Sequence, residues 1–261
     1  MGKKVLFEVC CGCLEDAINA EKGGADRIEL NSALFLGGLT PGAGLLREVK
    51  KHIKIPVMCM LRPREGGFCY TDFDYKTILA EAEALIEAGA DGIVFGFLTN
   101  EGEVDVKRTK ELIDLIKSKC EKENKKTDVE IVFHRAFDLI PDVYKAMDTL
   151  ISLGVNRILT SGQKPSAFEG RDCIKNLVKY GESKIEILPG GGVNKNNAKE
   201  LIEYTGVSAV HASARSERTD KSGLLNPEIF FGGKIDGKFN PEHIYKVTNE
   251  NLVREVVEAI K

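Results

Sequence analysis

The sequence is notable first for what it does not contain. No stretch of about 18 apolar residues is present, so nothing in the chain is suited to a membrane-spanning helix. Neither sign of charge dominates: 37 basic residues face 40 acidic ones, for a net charge of −3. That balance gives no general electrostatic reason to expect nucleic acid or an anionic membrane as a partner. The basic start, Met1-Gly2-Lys3-Lys4, is followed by an apolar run that Glu8 interrupts, too short for the core of a signal peptide. Position 6 is Leu6, where a myristoylation site needs Ser or Thr. The seven cysteines follow no disulfide rhythm. In a large chain without an export signal they are expected to be reduced, mostly buried thiols in a cytosolic protein.

Three further absences narrow the fold and the chemistry. No Gly-x-Gly-x-x-Gly follows the first β-rich run, against a dinucleotide-binding open sheet. No second half accompanies the one C-x-x-C, against a paired zinc motif. No Lys stands at a predicted strand exit, which argues against Schiff-base chemistry. There is no linker or low-complexity stretch, and 261 residues match the roughly 250 of a single (β/α)₈ barrel.

What is present is a repeat. Gly24-Ala25-Asp26-Arg27-Ile28, Gly89-Ala90-Asp91-Gly92-Ile93, Gly154-Val155-Asn156-Arg157-Ile158 and Gly206-Val207-Ser208-Ala209-Val210 each close a helix-like pattern and open an apolar one. The Gly ends the helix in the left-handed conformation, and the short polar residue turns the chain into a strand. Spacings of 65, 65 and 52 residues each hold two helix–strand units. Strands are predicted at 5–9, 27–30, 57–61, 92–95, 129–133, 157–160, 185–188 and 209–211. Helices are predicted at 14–22, 44–51, 75–88, 106–119, 142–153, 173–180, 197–205 and 251–260. Strict alternation of eight pairs predicts one α/β domain over 1–261, a parallel TIM barrel. A long irregular connection at about 215–249, containing Phe230-Phe231-Gly232-Gly233, is expected as a cover or as a contact in a homo-oligomer.

Barrel enzymes carry their sites at the C-terminal strand ends. Here those ends collect Glu8, Cys10, Glu29, Asn31, Arg62, Arg64, His134, Arg135, His211 and Arg215. Glu8, Arg27 and Glu29 are read either as a buried ion-pair network or as a tuned acid–base group. Glu29, Arg62 and His134 are the candidate catalytic residues, with Glu8, Arg27 and His211 as further residues of the barrel mouth. Gly190-Gly191-Gly192 after the seventh strand, with Ser213 and Arg215 on the eighth exit, form a candidate anion site. Cys10 and Cys13 have a spacing that can hold a soft metal, and a thiol at a helix N-terminus is favoured as thiolate.

Several of these motifs resemble the CutC copper-homeostasis family. They are Glu8-Val9-Cys10, Gly23-Gly24-Ala25-Asp26-Arg27-Ile28-Glu29-Leu30, Gly37-Gly38-Leu39-Thr40-Pro41, Arg62-Pro63-Arg64, Phe133-His134-Arg135-Ala136-Phe137-Asp138, Arg157-Ile158-Leu159-Thr160-Ser161-Gly162, Pro189-Gly190-Gly191-Gly192-Val193 and His211-Ala212-Ser213-Ala214-Arg215. The resemblance implies a cytosolic (β/α)₈ barrel assigned to copper homeostasis, binding copper(I) through two cysteines in Glu-Val-Cys and Glu-Leu-Cys. Cys10 matches the first; Asn31 stands at the second. Cys13 stands where relatives commonly carry a helix-capping Ser, so copper binding is expected at Cys10 and Cys13 or not at all. The alternative is a barrel enzyme of lyase, aldolase or isomerase type acting on a small phosphorylated or carboxylated metabolite, since one fold hosts many chemistries.

Overall fold

The computed structural model describes residues 4–122, 129–231, 234–235, 238–239 and 241–261. Eight parallel strands alternate with eight helices. The strands are β1 Leu6–Cys11, β2 Arg27–Leu30, β3 Val57–Met60, β4 Gly92–Phe95, β5 Glu130–Phe133, β6 Arg157–Thr160, β7 Glu186–Pro189 and β8 Ala209–Ala212. The helices are α1 Leu14–Gly23, α2 Ala43–His52, α3 Asp72–Glu87, α4 Val106–Lys122, α5 Val143–Leu153, α6 Arg171–Gly181, α7 Ala198–Thr205 and α8 Glu250–Ile260. Each lies within a few residues of its predicted span. Neighbouring strands are hydrogen-bonded in the order β7-β6-β5-β4-β3-β2-β1-β8. The barrel is therefore nearly closed, with a seam between β7 and β8 that carries no ladder.

The repeat has a physical role in this architecture. Gly24, Gly89, Gly154 and Gly206 have φ of 94°, 101°, 81° and 76°, the left-handed turn that ends a helix. The polar residue two positions on does more than turn the chain. Asp26 accepts from the Phe7 N–H at 2.9 Å, Asp91 from Val57 at 2.8 Å and Asn156 from Ile131 at 2.7 Å. Each one satisfies the N–H near the start of the preceding strand, so the repeat marks every second strand junction.

Strand residues alternate between two environments. Phe7, Val9, Ile28, Leu30, Phe95 and Phe133 face the helices and build the main core. Among the described residues the barrel interior holds two small apolar clusters: Met58, Met60, Val94 and Val132, and Leu159, Leu188 and Ala209 with Leu6. Charged residues fill much of the remaining interior.

The connection at 215–249 departs from the expected irregular path. Arg215–Thr219 (β9) and Ile244–Thr248 (β12) form an antiparallel ribbon, and short strands β10 Lys234–Ile235 and β11 Lys238–Phe239 pair between them. The ribbon is tied to α1: Thr248 N–H donates to Asp16 at 2.6 Å, and Asn19 donates to the Thr248 carbonyl at 2.9 Å. Gly232 and Gly233 lie outside the described residues, while Phe231 is exposed. Among the described residues no helix is long and apolar enough to cross a membrane.

Candidate functional site

The period of two sends Glu8 and Cys10 of β1, and Arg27 and Glu29 of β2, into the barrel. Their register sets Glu8 beside Arg27 and Cys10 beside Glu29, and on the other side Glu8 beside His211. Glu8 accepts from Arg27 Nε at 2.5 Å and contacts His211 Nδ1 at 2.8 Å. Arg27 Nη2 reaches Glu186 at 3.7 Å; Arg157 pairs with Glu186 at 2.5 Å and with Glu130 at 2.8 Å. Three carboxylates thus face two guanidiniums and one imidazole in a belt across the interior.

Charge balance explains the titration of this belt. Burial opposes ionisation of Glu8, but Arg27 and the His211 hydrogen bond outweigh it and hold the carboxyl well below its usual range. Burial likewise opposes the charge on His211, and the bond to Glu8 with the charges of Glu29 and Glu8 raises it above the usual histidine value. A charged His211 brings the belt to three negative and three positive groups, which is what a low-dielectric interior favours.

Glu29 is not part of this belt, contrary to one reading of the sequence. It accepts from Asn31 Nδ2 at 2.9 Å and lies 3.7 Å from the Cys10 sulfur. Burial and the negative Glu8 raise its carboxyl above the usual range, although His211 pulls the other way. Burial, then Glu29, push the Cys10 thiol well up. One ligand atom each from Cys10, Glu29 and His211 lie within 4.8 Å of one another. Because Nδ1 of His211 is committed to Glu8, Nε2 is the nitrogen left for a ligand. Asn31 sits against the same cluster: its Nδ2 is 3.4 Å from Cys10 Sγ, and its buried Oδ1 has no partner.

Cys13 is not part of the Cys10, Glu29 and His211 cluster. It is the N-cap of α1, its sulfur accepting from the Asp16 N–H at 3.5 Å, and it is exposed. Strand alternation points Cys10 inward, whereas the following turn carries Cys13 to the helix end. Cys11 is buried on the helix side. Cys69 is exposed, with Asn100 as its partner.

Arg62 and His134 occupy the opposite part of the mouth. Arg62 is clamped by the carbonyls of Leu36, Gly38 and Gly66, and its buried Nε has no partner among the described residues. His134 Nδ1 accepts from the Ala136 N–H at 3.1 Å, so its proton resides on Nε2, which is buried and unpartnered. Burial and the Arg62 charge lower its pKa to about 3. Phe68 packs on both, 4.7 Å from the His134 ring and 5.3 Å from the Arg62 guanidinium. Neither residue hydrogen-bonds Glu29.

At the seventh strand exit, Gly190 packs against His211, and Gly191 lies beside Arg135. Ser213 is exposed on the eighth exit. Arg215 turns into the ribbon, donating through Nη2 to the Lys246 carbonyl at 2.7 Å. Sequence reasoning placed Arg135 at a strand exit but gave it no role; its position directly after His134 was the available signal.

A model of the CutC family matches residues 5–216. The chain belongs to the CutC family. It is 46% identical over 258 residues to a CutC family protein of Treponema denticola, covering 99% of this chain and all of that one. It is 40% identical over 249 residues to the human copper homeostasis protein cutC homolog, covering 95% of this chain and 86% of the relative. A crystal structure assigned as the copper homeostasis protein CutC of Streptococcus agalactiae superposes with a TM-score of 0.73 at 33% identity, covering 79% of this chain and 97% of that one. Phosphoribosylanthranilate isomerase from Pyrococcus furiosus shares the fold alone, with a TM-score of 0.55 at 15% identity over 98% of each chain. In this CutC chain Asn31 is adjacent to Cys10 in space, its Nδ2 being 3.4 Å from the Cys10 sulfur.

Proposed function

We propose that this CutC family protein binds copper(I) as cargo at the barrel mouth, through Cys10 and His211, with Glu29 as the neighbouring acid–base group. The observation that carries this reading is the convergence of Cys10, Glu29 and His211 within 4.8 Å. Copper(I) is soft and takes thiolate and imidazole ligands. Glu8 supports His211 from behind, the arrangement that orients metal-binding imidazoles generally. A bound metal displaces two protons, one from the Cys10 thiol and one from Nε2 of the charged His211; the Glu29 carboxyl lies beside the sulfur to take the first, and the second leaves to solvent. Among the described residues no disulfide joins two cysteines, which suits a reducing compartment. X-ray absorption of the copper(I)-loaded protein tests the ligand set. One sulfur and one nitrogen scatterer are expected, with the sulfur lost in Cys10→Ser. Two sulfurs would point back to Cys10 and Cys13 and contradict the reading.

A second reading, an enzyme acting on a small anionic metabolite, is favoured by a different observation. His134 and Arg62 offer buried, unpartnered N–H groups beside one aromatic ring. A neutral imidazole donor next to a fixed guanidinium suits a carbonyl or carboxylate oxygen on which negative charge develops. Glu29 is its acid–base candidate, and loss of turnover in both His134→Gln and Glu29→Gln on a panel of phosphorylated and carboxylated metabolites is the expected result. The absence of any turnover by wild type across that panel would remove this reading.

A further inference from the structure

We propose that the loop 190–193, together with the guanidinium of Arg135, is a binding site for a phosphate-class oxyanion, separate from the Cys10 cluster. Gly191 and Gly192 are consecutive left-handed residues, with φ of 99° and 76°. Their carbonyls are taken: Gly191 O accepts from Ala167 N–H at 2.8 Å, and Gly192 O from Asn194 Nδ2 at 3.0 Å and Asn197 Nδ2 at 2.9 Å. Their N–H groups, and that of Val193, meet no acceptor among the described residues. A loop whose acceptors are satisfied and whose donors are free is polarised towards an anion.

An independent observation brings a cation to the same place. Arg135 donates through Nε to Asp138 at 2.7 Å and through Nη2 to Ser161 Oγ at 2.7 Å. Both partners are themselves fixed. The Asp138 carboxylate accepts from Thr160 Oγ1 at 2.5 Å and from the Ser161 N–H at 3.0 Å, and it is largely buried. These bonds occupy one edge of the guanidinium and leave Nη1 without an acceptor among the described residues. A methyl group built on Gly191 would lie 3.3 Å from that Nη1. A fixed guanidinium nitrogen thus stands against the same turn that carries the free amides.

The chemistry favours a tetrahedral dianion. Several backbone donors and a guanidinium offer more charge-assisted hydrogen bonds than one planar carboxylate can use. The position, after the seventh strand of the barrel, is where many barrels hold phosphate. Ser213 borders the adjacent cleft of about 280 Å³ between the Asn194 turn and the eighth strand exit, on the path a larger ligand would take. Arg215 gives its Nη2 to the Lys246 carbonyl, whereas Arg135 is the guanidinium that stands against Gly191.

The site stands whether or not copper binds at Cys10. The test is an amide-detected NMR titration of the full chain at fixed ionic strength, with inorganic phosphate in one arm and glycerol phosphate in the other. Shifts are expected at Gly191, Gly192 and Val193. Arg135→Gln should weaken binding by about tenfold, the loss of one charge-assisted hydrogen bond. Arg135→Lys should recover part of it, and Arg215→Gln should bind as wild type does. Gly191→Ala should weaken binding by pressing on the Arg135 guanidinium; because it also strains the loop, Arg135→Gln decides the question if that variant does not fold. Tighter binding of glycerol phosphate assigns the site to a phosphorylated metabolite, and equal binding assigns it to the phosphate group alone. No shift at those amides at millimolar ligand, or an Arg135→Gln variant that binds like wild type, overturns the proposal. Copper affinity is expected to be unchanged in Arg135→Gln, so this inference and the copper reading fail separately.

Discussion

His211 Nδ1 lies 2.8 Å from a carboxylate oxygen of Glu8, although the two residues are 203 positions apart. That contact exists because β8 pairs with β1, Glu8 directly opposite His211. It fixes the ring against Glu8, and it joins the ionic belt of the interior to the candidate metal cluster of Cys10, Glu29 and His211.

The belt makes Glu8 a structural and a functional residue together. In Glu8→Gln, Arg27 loses its nearer ionic partner in the interior and keeps only Glu186 at 3.7 Å among the described residues, and removing one member of a buried pair costs about 3 to 5 kcal/mol. Urea unfolding should show a loss of that order. In the fraction that remains folded, copper(I) affinity should fall by about 10- to 100-fold, as expected when the group behind a metal-binding imidazole is removed. Unchanged stability and affinity would mean that the Glu8–His211 contact orients nothing.

His134 sets a pH dependence of definite sign. Its folded pKa is about 3, whereas an unperturbed histidine titrates near 6.5. Between those values the unfolded chain binds a proton that the native ring refuses, so this residue makes stability fall as pH falls from 6.5 towards 3. The slope is at most about 1.4 kcal/mol per pH unit. Glu29 and His211, both raised, and Glu8, lowered, titrate as well, so the quantity to measure is the difference between wild type and His134→Gln. That difference should shrink between pH 7.5 and 5 (roughly the window below the free histidine value). A constant difference would place a charged ring in the native state.

Asp16 ties the first strand turn to the ribbon. Its carboxylate accepts from the Gly12 N–H at 2.8 Å and the Thr248 N–H at 2.6 Å, and the residue is almost wholly buried. Asp16→Ala leaves two N–H groups without an acceptor, and about 3 kcal/mol of stability should be lost, two charged hydrogen bonds at the lower end of their range. Thermal unfolding measures it. A loss no larger than that of an exposed control such as Glu15→Ala would contradict this anchoring.

Much of the architecture could be read in the sequence because it is written locally. The left-handed Gly and the short polar residue recur at Gly24, Gly89, Gly154 and Gly206, and each acts within its own turn and the adjacent strand. The site was less readable for the opposite reason. Glu29 shares a face with Arg27 by periodicity, yet Arg27 turns to Glu8 and Glu186, and only the packing of β1, β2 and β7 decides between those partners. The C-x-x-C spacing brings Cys10 and Cys13 close in sequence, but Cys10 clusters with Glu29 and His211 while Cys13 caps the first helix. Arg135 carried no pattern of its own; its role depends on Asp138, Ser161 and Gly191, which converge only once the barrel curves round.

Asn31 offers a gain-of-function check on the cluster. Its Nδ2 is 3.4 Å from Cys10 Sγ, so a sulfur introduced there falls beside the first. Asn31→Cys should raise copper(I) affinity by at least about tenfold, since a second thiolate is the ligand that a soft ion prefers. Competition with a chromophoric chelator reads the change. No gain would mean that Cys10 is not accessible to the ion.

The most direct test of copper binding at the barrel mouth is copper(I) affinity, measured by competition with a chelator, in wild type, Cys10→Ser, His211→Ala and Cys13→Ser. Clear losses are expected in Cys10→Ser and His211→Ala, with wild-type binding in Cys13→Ser, where serine preserves the helix cap. Wild-type affinity in Cys10→Ser, or a loss confined to Cys13→Ser, would contradict it.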